Sequence, residues 1–464
     1  MKRILIKETS GKIGEKVKLA GWVQSIRSHG KIIFFDLRDY SGIAQIVFTS
    51  QDNDALYNQV KEIKPEWVVE IEGEVRERPK QMRNEEIETG NIEIKALSLK
   101  VFSKAITLPF PIDTDGYEIG EKHRLEYKYL DLRRPRMKRN LETRHKIIKF
   151  ARDFFCQEGF IEIETPMLTK STPEGARDFV VPSRNYPGNF YALPQSPQQY
   201  KQLLMVAGIE KYFQVARCFR DEDPRGDRQP EFTQIDMEVS FWDEKEIMSL
   251  AEKLFTNLIK ELFPEKKIMA SPFPVLTYQE AMKKYKTDRP DIRSRADELA
   301  FCFIVNFPMF EYKEGDKRWG AMHNPFTRPK TEDIEKIKND KENVTAYQYD
   351  LVLNGQEIGG GALRSYQPEI LEAVFESLGY EKEEIRKQFG HFFQAFEYGV
   401  PPHGGMAFGV DRLLAVLMDE PSIREVIAFP KTGDNKDLMM SSPASIADEQ
   451  LKELHLKIEK DGKE

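Results

Sequence analysis

FRDEDPRGDRQPEFTQIDMEVS, running from Phe219 to Ser240, is the stretch on which the reading of this 464-residue chain turns. An apolar run, Tyr212 to Ala216, precedes it and reads as a strand. The chain then crosses a loop dense in arginine and aspartate, with Pro224 and Gly226, and returns as a second strand. In the return strand, period-two alternation sends Ile235, Met237 and Val239 to one face and Gln234, Asp236 and Glu238 to the other. A strand packed on both sides does not normally line one face with two carboxylates and an amide, so this face is expected to floor a polar pocket. Arg220, Arg225 and Arg228 supply guanidinium forks suited to phosphate oxygens. Any four of these residues alone would suit a solvated hairpin with a charged outer face; the whole stretch does not.

Taken entire, the hairpin resembles motif 2 of the class II aminoacyl-tRNA synthetases, in the form found in the bacterial aspartyl branch. The resemblance implies that Arg220 holds both the α-phosphate of ATP and the carboxylate of the amino acid. It puts Asp221, Glu222 and Gln229 at the nucleotide, stacks Phe232 on adenine, and makes Asp236 part of the aspartate pocket.

Composition sets the outer bounds. At 464 residues two to four domains are expected; charged residues make up 32% and hydrophobic ones 40%, a globular balance without a disorder signature. No apolar run approaches the roughly 18 residues of a membrane span. The N-terminal MKRILIKETSGKIGEK has no apolar centre followed by small residues, so a cytoplasmic location is expected. Cys156, Cys218 and Cys302 are far apart with no CxxC pair, which points away from zinc and from a disulfide framework. The net charge is −7, so an RNA partner must be held by local basic patches and base contacts, not by the field of the whole chain.

Residues 1–103 read as a small β unit: strands near Val17–Ser25, Ile32–Asp39, Gly42–Phe48, Glu66–Val75 and Ile92–Phe102, with a helix near Asp54–Ile63. Five strands with a helix between the third and fourth is the OB-fold arrangement, whose barrel face binds oligonucleotides. Arg27, Phe34 and Gln45 are candidates on that face, an aromatic to stack an unpaired base and two polar groups to read its edge. Pattern alone leaves Phe34 either core or exposed, because IIFF is apolar on both sides. The resemblance implies that this barrel grips the anticodon through Arg27, Phe34, Gln45 and Glu93. It also singles out His29 in the RSHGK loop, since aspartyl enzymes that charge asparagine tRNA as well tend to carry histidine there.

Residues 104–124, with Pro109, Pro111 and Gly116, read as a hinge, and 125–464 as the second domain. A helix over Arg136–Glu158 is predicted from Ile147, Ile148, Ala151, Phe154 and Phe155 at helical spacing, with Gly159 as its stop. FIEIETPML then reads as a strand ending at Pro166. Helix, strand and proline resemble motif 1, which implies a homodimer. In STPEGARDFVV the resemblance makes Glu174 a contact for the aspartate amino group, on a loop that closes over the substrate. QSPQQYKQ places Gln198, Lys201 and Gln202 near a helix start; it is similar to an aspartyl signature in which Gln198 lies at the amino acid and Lys201 meets its side-chain carboxylate.

KKYKTDRPDIR at Lys283–Arg293 resembles the bacterial aspartyl pattern up to the point where those enzymes insert an extra domain. Here a short segment near 290–300 stands in its place before FCFIVNFPMFEY resumes at Phe301. AMHNPFTRP offers His323 against the aspartate, with Asn324 where bacterial relatives commonly have a second histidine. In AYQYDLVLNGQEIGGGALR, Asn354-Gly355 between two strand-like runs signals a type I′ hairpin pairing Leu353 with Gln356 and Val352 with Glu357. Asp350 and Glu357 then share a face, an oxygen-only pair suited to Mg²⁺ bridging phosphates. By resemblance, Arg364 is the second holder of the aspartate side chain. GGMAFGVDRLLAVL is similar to motif 3: Gly409, Val410 and Asp411 lie at ATP and Arg412 reaches its γ-phosphate.

The combined expectation is an α+β protein: an OB-fold barrel, then a class II domain with an antiparallel sheet flanked by helices. The implied reaction is ATP-dependent activation of L-aspartate and its transfer to aspartate tRNA, with Arg220 and Arg412 catalytic and Mg²⁺ on Asp350 and Glu357. Charging of asparagine tRNA as well stays open. The alternatives are the asparaginyl or lysyl branch, or a non-catalytic RNA-binding paralogue using only the barrel.

Overall fold

The computed structural model describes residues 1–171, 175–223, 226–315 and 317–459. The chain divides into two compact units, Met1–Pro111 and Ile112–Glu464.

In the first unit, strands Lys16–His29, Ile32–Asp39, Gly42–Thr49, Val68–Glu77 and Ile92–Ser103 close into a barrel, with helix Asp54–Val60 between the third and fourth. Alternation drives the closure: Leu19, Val23, Phe35, Leu37 and Ile46 point inward and are fully buried, while their sequence neighbours stay on the outer face. This resolves the IIFF ambiguity. Phe35 enters the core beside Phe48, and Phe34 remains half-exposed. Gly21 permits the tight strand crossing, since a Cβ there would fall 2.2 Å from the Arg38 carbonyl oxygen. The fourth strand starts at Val68, two residues later than its pattern suggests, because Glu66 adopts a left-handed φ of 65° and breaks the extended run.

The second unit is built on an eight-stranded sheet ordered 275–277, 301–305, 348–353, 356–363, 403–409, 231–240, 211–219 and 161–162. The six central strands pair antiparallel, and the two short edge strands pair parallel. Helices Pro135–Gln157, Glu244–Leu262 and Val410–Leu417 cover one face. Their Phe155, Leu254, Phe255 and Leu414 pack on Met237, Phe301 and Phe408 of the strands. The other face carries the polar side chains. The predicted 136–158 helix lies one residue earlier, with Pro135 in its first turn and Gly159 (φ +81°) after its end. FIEIETPML forms only a two-residue strand, Ile161–Glu162, paired with Tyr212 and Phe213. Near the C-terminal end a short polar helix forms, Asp448–Glu453.

An ionic cluster pins the start of this unit to its C-terminal third. Glu425 receives the Arg124 fork at 2.7 and 2.9 Å and Arg136 at 2.9 Å. Glu420 receives Arg136 at 2.6 Å and the Tyr117 hydroxyl at 2.8 Å. Burial alone would raise the Glu425 pKa, but the Arg124 and Arg136 contacts outweigh it and hold the carboxyl down at about 2. Among the described residues, no helix is long and apolar enough to cross a membrane.

Candidate active site

The polar face of strand Glu231–Ser240 floors the site, as its alternation predicts. Asp236 and Glu238 are 1% and 0% exposed, and each meets a cation from a different element. Lys201, on helix Gln198–Val206, donates to Asp236 Oδ1 at 2.6 Å and lies 3.0 Å from Glu238 Oε2. Arg364, just past strand Gln356–Leu363, forks onto Glu238 at 2.9 and 3.2 Å. Gly405, opposite Glu238 on the neighbouring strand, makes room for this arrangement: a Cβ there would lie 2.1 Å from Glu238 Oε2.

Two cations and two carboxylates sum to zero charge, which is what allows the quartet to be buried. Lys201 and Arg364 are therefore already paired within the protein. Their internal partners hold them, and one N–H of Lys201 and three of Arg364 have no side-chain partner among the described residues. Burial would raise the pKa of Glu238, but the charges of Arg364 and Lys201 hold it down at about 2. At Asp236 burial wins over Lys201, and the pKa is raised. Asp236 Oδ2 is buried and accepts no full hydrogen bond among the described residues: the Tyr212 hydroxyl lies near enough to interact with the Asp236 carboxylate, but its proton goes to Gln214 Oε1 at 2.9 Å. Such an acceptor suits an ammonium. Gln198 is buried four residues before Gln202 and donates to it. Glu174 and Arg225 lie outside the described residues.

The motif 2 hairpin forms as read, Lys211–Phe219 against Glu231–Ser240. Arg220 stacks on the Phe232 ring, 5.0 Å from its centroid, and both are half-exposed. Glu222 pairs with Arg228 at 2.7 Å, and the Asp221 carboxylate lies 4.0 Å from Arg177. Two sequence candidates are differently engaged. The Gln229 amide is clamped on the Lys431 backbone, donating at 3.1 Å and accepting at 2.7 Å. The buried Asp411 carboxylate takes the Arg144 guanidinium of helix Pro135–Gln157 and the Thr233 backbone N–H. Asp411 thus joins the motif 1 helix, the motif 2 strand and the motif 3 helix at one carboxylate. Its neighbour Arg412 donates to the Glu357 carbonyl at 3.0 Å and lies 3.4 Å from Asp227 Oδ2. Gly409 caps the N-terminal end of that helix and Val410 is buried at its start.

The Asn354-Gly355 turn has φ of 50° and 80°, as a type I′ turn requires, and Val352–Glu357 and Leu353–Gln356 pair as predicted. One bulge follows, so Asp350 pairs with Gly360. The two carboxylates still converge: a Cβ on Gly360 would lie 3.1 Å from Asp350 Oδ1 and 3.8 Å from Glu357 Oε1. Loss of solvent and the Asp350 charge push the Glu357 pKa up. A pair this close favours a hard cation, and one or two carboxylates completed by phosphate oxygens is the usual Mg²⁺ arrangement. His323 Nε2 lies 3.4 Å from Asp350 Oδ2, which places this histidine at the carboxylate pair. Burial would lower its pKa, but Asp350 outweighs this and raises it. Gln348, which no sequence pattern marks, donates to Asp350 at 2.8 Å.

On the barrel, Arg27 stands opposite Phe34, and Gln45 opposite Asp36. Arg27 bonds Asp36 at 3.0 Å, Gln45 bonds Glu93 at 3.3 Å, and the His29 ring meets Phe34 edge-on at 6.1 Å. The five candidates thus form one outer patch. Arg78 joins it unforeseen: it is 5% exposed, Nη2 has no partner among the described residues, and Glu93 and Asp36 act on its charge. Its signal in the sequence, one arginine in a charged loop, is too weak to find it.

Comparison with known proteins agrees with this fold. Residues 120–433 match the family model of class II tRNA synthetases (D, K and N), and 17–102 match that of the OB-fold nucleic acid binding domain. The chain is 41% identical to the aspartate–tRNA(Asp/Asn) ligase of Hydrogenobaculum sp. (strain Y04AAS1), over 96% of this chain and 98% of that protein. It is 40% identical to the protein of the same name from Natranaerobius thermophilus, over 97% and 98%. The Hydrogenobaculum alignment runs over 582 positions against 464 residues here, so that relative holds residues with no counterpart in this chain. Among solved structures, asparaginyl-tRNA synthetase from Pyrococcus horikoshii complexed with asparaginyl-adenylate superposes with a TM-score of 0.75 at 23% identity, over 93% of this chain and 98% of that one. Aspartyl tRNA synthetase from Entamoeba histolytica gives 0.72 at 23% identity, over 93% and 91%. At that identity the likeness speaks to fold alone.

Proposed function

The chain belongs to the class II tRNA synthetases of the D, K and N group, and from that membership we propose that it is an aspartate–tRNA ligase whose amino acid pocket is the Lys201–Asp236–Glu238–Arg364 quartet. The observation that carries the reading is the set of groups the quartet leaves over. They are N–H donors from two cations beside one unpartnered carboxylate oxygen, Asp236 Oδ2. A side-chain carboxylate accepts from every one of those donors; the amide of asparagine would turn an NH₂ group toward them. Asp236 Oδ2 suits the ammonium of the amino acid. Glu174, by its place in the motif, is a further contact to that ammonium.

The chemistry needs no covalent enzyme intermediate. An α-carboxylate oxygen of aspartate attacks the α-phosphorus of ATP in line, the bond to the bridging oxygen breaks, and pyrophosphate leaves. Arg220 is the candidate to balance charge at the α-phosphate and Arg412 at the γ-phosphate, with Phe232 free to stack on adenine once Arg220 turns to phosphate. Asp350 and Glu357 would hold Mg²⁺, which neutralises the phosphate oxygens. The terminal ribose hydroxyl of tRNA then attacks the carbonyl of the aspartyl-adenylate, and AMP leaves. The barrel patch of Arg27, His29, Phe34, Arg78, Gln45 and Glu93 suits an unstacked anticodon, Phe34 by stacking and the rest by reading base edges. A cytoplasmic setting follows from these substrates. A homodimer is supported by Ile161, Met167, Leu168 and Val180, apolar side chains left exposed after the motif 1 helix.

A second reading concerns the tRNA. His29 beside Phe34 and the tRNA(Asp/Asn) names of the relatives favour charging of asparagine tRNA too. Charging with labelled aspartate on the two purified transcripts tests both. We expect product on both; product on aspartate tRNA alone removes the second reading, and product on neither overturns the assignment.

A further inference from the structure

His403 is 2% exposed at the start of the strand beside Glu231–Ser240, and nothing in the reaction above uses it. Its two ring nitrogens are both engaged. Nδ1 is 2.8 Å from the Pro401 carbonyl oxygen, and Nε2 is 2.9 Å from Gln202 Nε2. A carbonyl only accepts, so Nδ1 carries the proton. In the neutral ring Nε2 is then an acceptor, and Gln202 must turn its NH₂ group toward it. That turn points Gln202 Oε1 at Gln198, whose Nε2 donates to it at 2.8 Å. The polarity of the chain is therefore set at Pro401 and runs one way to Gln198, turning its Oε1 away from Gln202. Gln202 is 0% exposed, so no water competes to reverse its amide. Lys201, one helical turn from Gln198, fixes the same stretch of helix to Asp236.

We propose that His403 is a positioning residue for the amino acid substrate: through Gln202 it holds the Gln198 amide with its carbonyl oxygen toward the substrate ammonium. This rests on the reading of the pocket as an aspartate site. A histidine of the other tautomer, or none, would let both amides flip and turn the Gln198 NH₂ group to the ammonium. The charged groups that act on the ring are Glu238, Arg364 and Lys201. All three belong to the quartet, so the ring lies within electrostatic reach of the pocket, and the His403 backbone carbonyl accepts from the Arg364 backbone N–H at 2.9 Å.

The test compares aspartate with succinate, which is aspartate without its ammonium, in ATP–pyrophosphate exchange by the full-length protein. His403→Phe keeps the ring and removes the acceptor. It should raise the KM for aspartate roughly tenfold or more, the worth of one hydrogen bond to a charged group, and leave the inhibition constant of succinate and the KM for ATP within about twofold. His403→Gln, whose side-chain oxygen can accept from Gln202, should recover most of the loss. Gln202→Leu breaks the same chain from the helix, and carries the test if the strand variant does not fold; it should give the same selective loss. Equal weakening of aspartate and succinate, or no change in either, overturns the relay. Wild-type exchange that does not depend on aspartate overturns the pocket reading instead.

Discussion

Arg364 and Glu238 form a buried two-point pair, Nε to Oε1 at 2.9 Å and Nη2 to Oε2 at 3.2 Å. Two of the five guanidinium N–H groups are taken by the protein's own carboxylate, which leaves three without a side-chain partner among the described residues. The pair thus fixes the plane of the fork before any ligand arrives. Lysine cannot reproduce that plane. Arg364→Lys should lower kcat/KM for aspartate by about 2–3 kcal/mol, on the order of 100-fold, because it also leaves Glu238 half-satisfied. Pyrophosphate exchange at saturating ATP measures this, and a variant as active as its parent would remove Arg364 from the pocket.

Asp411 is predicted to matter through Arg144. Asp411→Asn keeps an acceptor for the Thr233 amide but loses the charge that Arg144 meets. Unfolding free energy should drop by roughly 1–3 kcal/mol. With Arg144→Met the two losses should fall short of additive, since both remove one interaction. Additive losses in urea unfolding would mean the joint is not one.

Acid sensitivity follows from Glu425. Its folded pKa is about 2, against roughly 4.3 for a free glutamate. The folded pKa is the lower, so the unfolded chain binds the proton more readily. The stabilisation is complete above about pH 4.3 and is lost as pH falls toward 2, on the order of 3 kcal/mol in all. Glu425→Gln should be less stable at neutral pH and show a flatter acid limb across that window. Parallel limbs for variant and parent, followed by tryptophan fluorescence in urea, would contradict the assignment.

The proposed anticodon patch on the barrel predicts that tRNA binding and chemistry separate. Phe34→Ala should raise the KM for tRNA roughly 10- to 100-fold, as for a lost base stack. Aspartate-dependent pyrophosphate exchange without tRNA should be unchanged. An effect on exchange would mean the barrel does more than hold RNA.

Glu357→Gln should raise the Mg²⁺ concentration giving half-maximal exchange roughly tenfold, by removing one of the two carboxylate charges. Magnesium titration of the two proteins at fixed ATP reads this directly. Overlapping titrations would place the ion elsewhere.

Much of the fold was legible in the sequence because it rests on local rules. Alternation placed Asp236 and Glu238 on the polar face of their strand, and Asn354-Gly355 announced both the turn and its register. The five barrel strands were also visible, with ends off by a few residues where a left-handed residue such as Glu66 interrupts the run. The bulge that sets Asp350 against Gly360 was not, because the turn residues fix the register only of the pairs beside them.

The sequence by itself determined which chemical groups would gather: two cations, two carboxylates, the motif arginines and an aromatic patch on a barrel. Tertiary structure alone decided which of them are already partnered. Lys201 meets Asp236 across 35 residues, Asp411 meets Arg144 across 267, and Gln202 meets His403 across 201. Gln229 and Asp411, read as nucleotide contacts, are held in place by Lys431 and Arg144. A buried polar group must find a partner wherever packing brings one, and no spacing in the chain records that distance.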